Sequence, residues 1–192
     1  MNREQALELL HKNMQNQNLR RHCYAVEAVM GALAQRLGEK DKKETWQIAG
    51  LLHDADWEKT AQNPQQHTKL ITGWIKEIEE ENELEDLRNA IISHAWGYVD
   101  GNPEPLSKMQ WALYCCDELT GLIVATTLVK PDKKLSSVTV DSVMNKWNEK
   151  SFARGVNREQ IKECEGRLQI PLHEFIEIAL RAMQAIAPEL GL

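Results

Sequence analysis

At 192 residues the chain fits one domain, residues 1–192, since a unit of about 100 to 200 residues can bury its own core. Its 23 Lys and Arg against 29 Asp and Glu leave a formal net charge of −6, which excludes the basic footprint of sequence-independent nucleic-acid binding and points to small-molecule chemistry. The start, MNREQALELLHKNM, is polar and amphipathic without a signal-peptide core, and no window approaches the roughly 18 apolar residues of a membrane span, so a soluble, cytoplasmic protein is expected.

Apolar residues recur at helical spacing along almost the whole chain. Leu19, Cys23, Val26, Met30, Leu33 and Leu37 mark a first stripe, which Gly38 closes as a left-handed cap. Asp41 with Glu44 reads as a capping box, and Trp46, Ala49, Gly50 and His53 share one face of the helix that it starts. A loop with Asn63-Pro64 leads to a third stripe of His67, Leu70, Ile71, Trp74, Ile75 and Ile78. Asn82 and Glu85 read as the cap of a fourth helix carrying Leu84, Leu87, Ile91 and His94.

The turn-rich GYVDGNPEP separates this from a fifth helix, where Leu106, Met109, Leu113, Asp117 and Thr120 step along one face and GLIVATTLV continues it. Beyond lie VDSVMNKWNEK, then NREQIKECEGRL with Asn157 and Gln160 as box residues, and finally a helix aligned on Leu172, Phe175, Ile176, Ala179, Met183 and Ile186. Alternating runs are lacking, and Val138 to Val140 is too short for a sheet. The expected class is all-α with roughly eight to ten helices, a core at 19–120 and helices of 121–192 packed on it. Cys23, Cys115, Cys116 and Cys164 lack C-x-x-C spacing, and the adjacent pair would close only a strained ring, so free thiols are expected.

His22, His53, Asp54, His67, His94 and Asp117 fall on or at the ends of successive helices, mostly on inward faces. A lone His-Asp pair at a helix end reads as a local cap. Burying an imidazole or carboxylate without a partner costs several kcal/mol, so five helices each doing it calls for a shared partner. Imidazole with carboxylate suits a divalent transition metal (Fe, Mn, Co, Ni or Zn) and is too rich in nitrogen for calcium or magnesium. His11, on a short polar helix, and His173, off the stripe of the last helix, lack this pattern.

The order His22, His53-Asp54, then Asp117, with His67 and His94 between, resembles the HD-domain superfamily of metal-dependent phosphohydrolases. The similarity is clearest over 19–120, and DELTGLIVATTLVKPDKKLSSV and KSFARGVNREQI are similar to a group of bacterial HD proteins of this length. The resemblance implies a helical bundle with the site at its centre. It implies His22, His53, Asp54 and Asp117 as one metal's ligands, His67 and His94 completing a second, and Asp54 bridging. A metal-activated water then attacks phosphorus, with His53 and Asp54 as catalytic residues and a nucleotide as the expected substrate.

One departure stands out. Many members follow His-Asp with a small residue and a Lys that helps hold phosphate, whereas here Ala55-Asp56-Trp57-Glu58-Lys59 follows, and Asp56 is expected to repel a nearby anion. The phosphate contact is therefore sought at Arg21, Lys59, Lys133 with its neighbours Lys130 and Lys134, and Arg154 with Arg158. Trp57 and Trp96 are candidate walls for a stacked base. Two readings compete with hydrolysis: a mixed-valent di-iron oxygenase on the same ligand types, and a regulatory module without turnover, which the complete ligand set disfavours. No nucleic-acid polymer or membrane partner is expected.

Overall fold

The computed structural model describes residues 1–78 and 84–192, and regular structure among them is entirely helical. In order come α1 (Arg3–Asn13), α2 (Gln17–Arg36), α3 (Lys43–Leu52), the single turn α4 (Trp57–Thr60), α5 (Lys69–Ile78), α6 (Glu85–His94), α7 (Lys108–Leu128), α8 (Val140–Asn148), α9 (Arg158–Leu168), α10 (Leu172–Ala185) and the single turn α11 (Ala187–Leu190). Among the described residues nine helices run nine residues or more, within the expected range.

Two long helices organise the packing. Helix α2 starts where the Asn16 side chain accepts the N–H groups of Asn18 and Leu19, and ends ahead of Gly38 at φ +82°. It lies against α3, α7 and α10. Helix α7 starts with a reciprocal Ser107–Gln110 capping box and is buried along most of its length between α2, α6 and α9. The crossing of α3 over α2 depends on Gly50, because a Cβ there would stand 2.8 Å from the Val26 carbonyl oxygen and 2.9 Å from the Glu27 nitrogen. That close approach brings the end of α3, and His53, down onto His22.

Several local expectations are corrected. Asp41 lies inside a 3-10 turn, Lys40–Lys42, and α3 starts after Lys42 without a side-chain cap, so Asp41 and Glu44 form no capping box. The expected third stripe includes His67, but Thr68 takes a left-handed φ of 70° and α5 starts at Lys69, and Leu70 and Ile78 are exposed. Leu106 lies before the Ser107 cap and is 85% exposed, so the buried face of α7 starts at Met109. Asn157 caps α9 by accepting the Gln160 N–H, while the Gln160 side chain donates to the Tyr114 carbonyl instead of returning to the cap. Asn82 lies outside the described residues, and Glu85 occupies the first turn of α6 behind an N-cap at Leu84.

The four cysteines are free and buried. Among the described residues no helix is long and apolar enough to cross a membrane.

Candidate metal centre

Five pieces of chain bring six donors to one place. Helix α2 carries His22, and His53 caps α3 with Asp54 in the turn after it. His67 follows the 3-10 turn Pro64–Gln66, His94 is the last residue of α6, and Asp117 sits mid-way along α7. His22 Nε2 lies 2.9 Å from Asp117 Oδ1, 3.2 Å from His53 Nε2 and 3.6 Å from Asp54 Oδ2. His53 Nε2 lies 3.5 Å from both Asp54 Oδ2 and Asp117 Oδ1. The other oxygen of Asp54 faces a second group: Oδ1 is 3.3 Å from His67 Nε2 and 3.5 Å from His94 Nε2, and those two nitrogens are 3.2 Å apart.

These spacings can be tested against coordination geometry. Donors bonded to one ion at about 2.0 to 2.2 Å, with angles of about 90 to 110°, lie about 2.8 to 3.6 Å from one another. Every distance above falls in that interval. The outward-facing ring nitrogens settle the proton positions. His53 Nδ1 meets the Gly50 carbonyl at 2.8 Å, His94 Nδ1 the Ile91 carbonyl at 2.5 Å, and His67 Nδ1 the Asp56 carboxylate at 2.7 Å. Those partners only accept, so each Nδ1 donates, and each neutral ring turns an Nε2 lone pair inward. Thr120 spends its own hydrogen on the Asp117 carbonyl at 2.8 Å, leaving its oxygen to accept from His22 Nδ1 at 3.2 Å. Lone pairs facing each other at 3.2 Å repel unless a cation or proton lies between them. The donor set therefore fits a divalent transition metal, and three groups, His22–His53–Asp54, His53–His94–Asp117 and Asp54–His67–His94, each bring their donor atoms within 4.8 Å.

The family model for the HD domain matches residues 19–118. The chain belongs to the HD domain family. That superfamily consists mostly of metal-dependent phosphohydrolases. No curated protein and no solved structure matches the chain.

Within this HD domain the charges are mutually adjusted. Burial pushes His53 down, but Asp54 and Asp117 outweigh it and raise it to about 9. Burial likewise opposes His67, which its hydrogen bonds to Asp54 and Asp56 raise to about 9. Burial lowers His94 against the pull of Asp54. Burial would raise both Asp54 and Asp117, yet the surrounding imidazoles hold both carboxyls well below the usual carboxylate range.

The centre opens into a cavity of about 470 Å³ lined by Asp54, His67, His94 and Asp117, and further by Trp57, Trp96, Tyr98 and Tyr114. The expected phosphate contacts lie elsewhere. Lys59 donates to Asn13 Oδ1 at 2.7 Å and sits over the Trp74 ring, held there by α1 and α5. Arg21 lines a different cavity of about 510 Å³, which His22 also lines. Lys130 donates to Ser142, and Arg158 donates to the carbonyls of Lys146, Trp147, Glu149 and Phe152. Lys133 and Arg154 are exposed, the latter beside the cavity residue Gly155. His11 pairs with the Tyr24 hydroxyl and His173 is exposed, so neither joins the centre.

The contacts of three positions at the centre escaped the sequence reading. Asp56 does not face an anion: it is fully buried, orients His67 through Oδ1 and accepts the Ile71 N–H through Oδ2 at 3.1 Å. Thr120 orients His22. Glu118, beside Asp117, lines the cavity, where burial and Asp117 raise its carboxyl. Asp56 carried a signal in its position, two residues after Asp54 at the start of a turn. Glu118 carried one as well, lying one helical turn after Tyr114 on α7.

Proposed function

We propose that this chain is a metal-dependent phosphohydrolase acting on a small phosphorylated metabolite. One observation carries the reading: Asp54 turns Oδ2 to His22 and His53, which Asp117 also meets, and Oδ1 to His67 and His94, so that one carboxylate would serve both donor groups. In this reading all six residues are ligands, and Asp54 and His53 are the catalytic pair. Divalent ions, if held by these six residues, would supply Lewis acidity and would lower the pKa of a water from about 15.7 toward about 7.

The chain's own residues do the rest. Asp54 fixes where the two donor groups meet. Asp56, Thr120 and the Gly50 and Ile91 carbonyls keep each imidazole in the tautomer that presents Nε2. The aromatic cavity restricts water and bounds the substrate. The reading treats 1–192 as one domain, supported by the packing of α9 on α7 and of α10 on α2.

Elemental analysis of protein purified without added metal, followed by a phosphate-release screen over nucleotides and other small phosphoesters, tests the proposal. Two equivalents of metal per chain with metal-dependent release are expected. A metal-loaded protein that releases phosphate from none of them overturns it. A second reading, a di-iron oxygenase, is favoured by one observation: among the described residues no Lys or Arg lines the cavity. Oxygen consumption by iron-loaded protein discriminates between the two.

A further inference from the structure

The cavity wall outside the donor groups is aromatic and acidic. Trp57 and Tyr98 stand with ring centroids 5.8 Å apart at 45°, and Trp96 and Tyr114 5.6 Å apart at 48°. Tilted pairs of this kind do not cover each other's faces; Trp57 also meets His67, and Trp96 and Tyr114 meet Trp111, in edge contacts, and all four rings line the cavity. Tyr114 and Glu118 lie four residues apart on one face of α7. The Asn157 N–H donates to Glu118 Oε2 at 3.0 Å, and among the described residues this is the carboxylate's sole hydrogen bond, which leaves Oε1 available. Gln160 donates to the Tyr114 carbonyl at 2.7 Å and clamps α9 onto the same wall.

Charge separates the possible ligands. The cavity is lined by three carboxylates, Asp54, Asp117 and Glu118, and among the described residues by no Lys or Arg. Asp54 and Asp117 belong to the donor groups, where imidazoles face both carboxylates. Glu118 belongs to none of them, and it lines the same cavity as the four aromatic rings with no ion pair among the described residues. A neutral nucleobase could stack on the rings and leave that charge unmatched. An ammonium group satisfies both, since rings attract a cation within about 6 Å of their centroids and the carboxylate adds a full opposite charge.

We propose that the cavity selects a zwitterionic substrate, a small phosphoester whose ammonium end sits among Trp57, Trp96, Tyr98 and Tyr114 beside Glu118 while its phosphoryl end meets the donor groups. The proposal rests on the phosphohydrolase reading for the phosphoryl end alone. The ammonium end is a binding property of this chain's own side chains.

The test uses the full-length protein and two matched pairs of probes. Choline is compared with its neutral carbon isostere, in which tert-butyl replaces trimethylammonium, by calorimetry and by the change in tryptophan fluorescence. Phosphocholine and the phosphate ester of that isostere are compared in the same way and for phosphate release. Each cationic member is expected to bind about tenfold more tightly than its neutral twin. Glu118→Gln, which keeps an acceptor for the Asn157 N–H, is expected to bring the ratio close to one. Tyr98→Leu, at a ring 52% exposed, checks the aromatic share with little risk to folding and should weaken choline several-fold. Equal binding of the twins, a preference that survives Glu118→Gln, or tighter binding of adenosine monophosphate than of phosphocholine overturns the proposal. Choline carries no phosphate, so selective choline binding without phosphate release counts against the hydrolase reading alone. Phosphate release without ammonium preference counts against the cage alone.

Discussion

The two donor groups share Asp54 and are otherwise built by different means. His22 and Asp117 project from within two long helices, and their side chains are 26% and 20% exposed. His67 and His94 come from a turn and a helix end, and both are buried. In the first group, position follows from packing, because Gly50 lets α3 settle against α2 and α7 lies along both. In the second, the segment from Asp54 to Lys69 has only the single turn α4 and the 3-10 turn Pro64–Gln66 to set its course, and the buried Asp56 ties it together by accepting from both His67 and the Ile71 N–H. The difference implies that the first group tolerates loss of a polar neighbour, and that the second does not.

Asp54 is the one residue whose removal ignores this asymmetry. Asp54→Ala takes a donor from both groups, so metal content should fall to near zero and phosphohydrolase turnover by roughly a thousandfold or more. The apolar faces of the helices remain, and far-ultraviolet circular dichroism should keep its helical signal. A variant with wild-type metal content and turnover would reduce Asp54 to a helix-end hydrogen-bond partner.

Acidity acts on both groups as well, because each contains one imidazole held at about 9, His53 and His67. A donor must lose its proton to bind metal, so apparent metal affinity should fall by up to about tenfold per pH unit below about 9 in each group. Stability of the metal-free protein runs the other way. Both folded values lie above the ordinary imidazole value of about 6.5, so their contribution is complete below about 6.5 and lost as pH rises through about 9. Asp54 and Asp117 are ionised throughout that window and do not alter the trend. Thermal melts at pH 6.5 and 9, with and without metal, should show metal-free Tm falling and the stabilisation by metal growing. A metal-free Tm that rises toward pH 9 would mean that the carboxylates do not hold those protons.

Asp56→Asn separates the groups. The amide oxygen can still accept one hydrogen bond, but the carboxylate that receives both the His67 Nδ1–H and the Ile71 N–H is gone. Loss of such a buttress typically costs about 10- to 100-fold in metal affinity. Titration calorimetry should show that loss in one of two binding steps only. Equal weakening of both steps would mean that Asp56 supports the whole centre rather than His67.

The same contrast explains how much of the centre could be read from sequence. Helix periodicity puts His53, His94 and Asp117 on inward faces, because in a helix the spacing of apolar residues states which way a side chain points, and it puts His67 there too, although His67 lies in a turn ahead of α5. The all-helical class followed from the same pattern. Turns carry no such period. Asp56 looked like a charge facing the substrate, since nothing local shows that it reaches His67, eleven positions on, and Ile71, fifteen on. Lys59 looked like a phosphate contact because its partners, Asn13 and Trp74, lie on two other helices. Leu106 fits the α7 stripe by spacing alone, but the Ser107 N-cap starts the helix after it.

The smallest effect should come from Thr120, the first group's counterpart to Asp56. Its hydroxyl accepts from His22 Nδ1 at 3.2 Å, a longer bond than the 2.7 Å from His67 to Asp56, and it brings no charge. Thr120→Val keeps the shape of the side chain and removes that acceptor. The His22 ring is partly exposed, so water can replace the lost partner, and α7 continues to hold Asp117 in place. Metal affinity at the first group should drop only a few-fold, and stability by about 1 to 3 kcal/mol, the net worth of the two neutral hydrogen bonds that the hydroxyl makes to His22 and to the Asp117 carbonyl. Set beside Asp56→Asn in the same calorimetric titration, this variant gives the sharpest test of the comparison. If Thr120→Val weakens its group as much as Asp56→Asn weakens the other, helix packing is not what positions His22, and both groups depend equally on the hydrogen bonds behind their imidazoles.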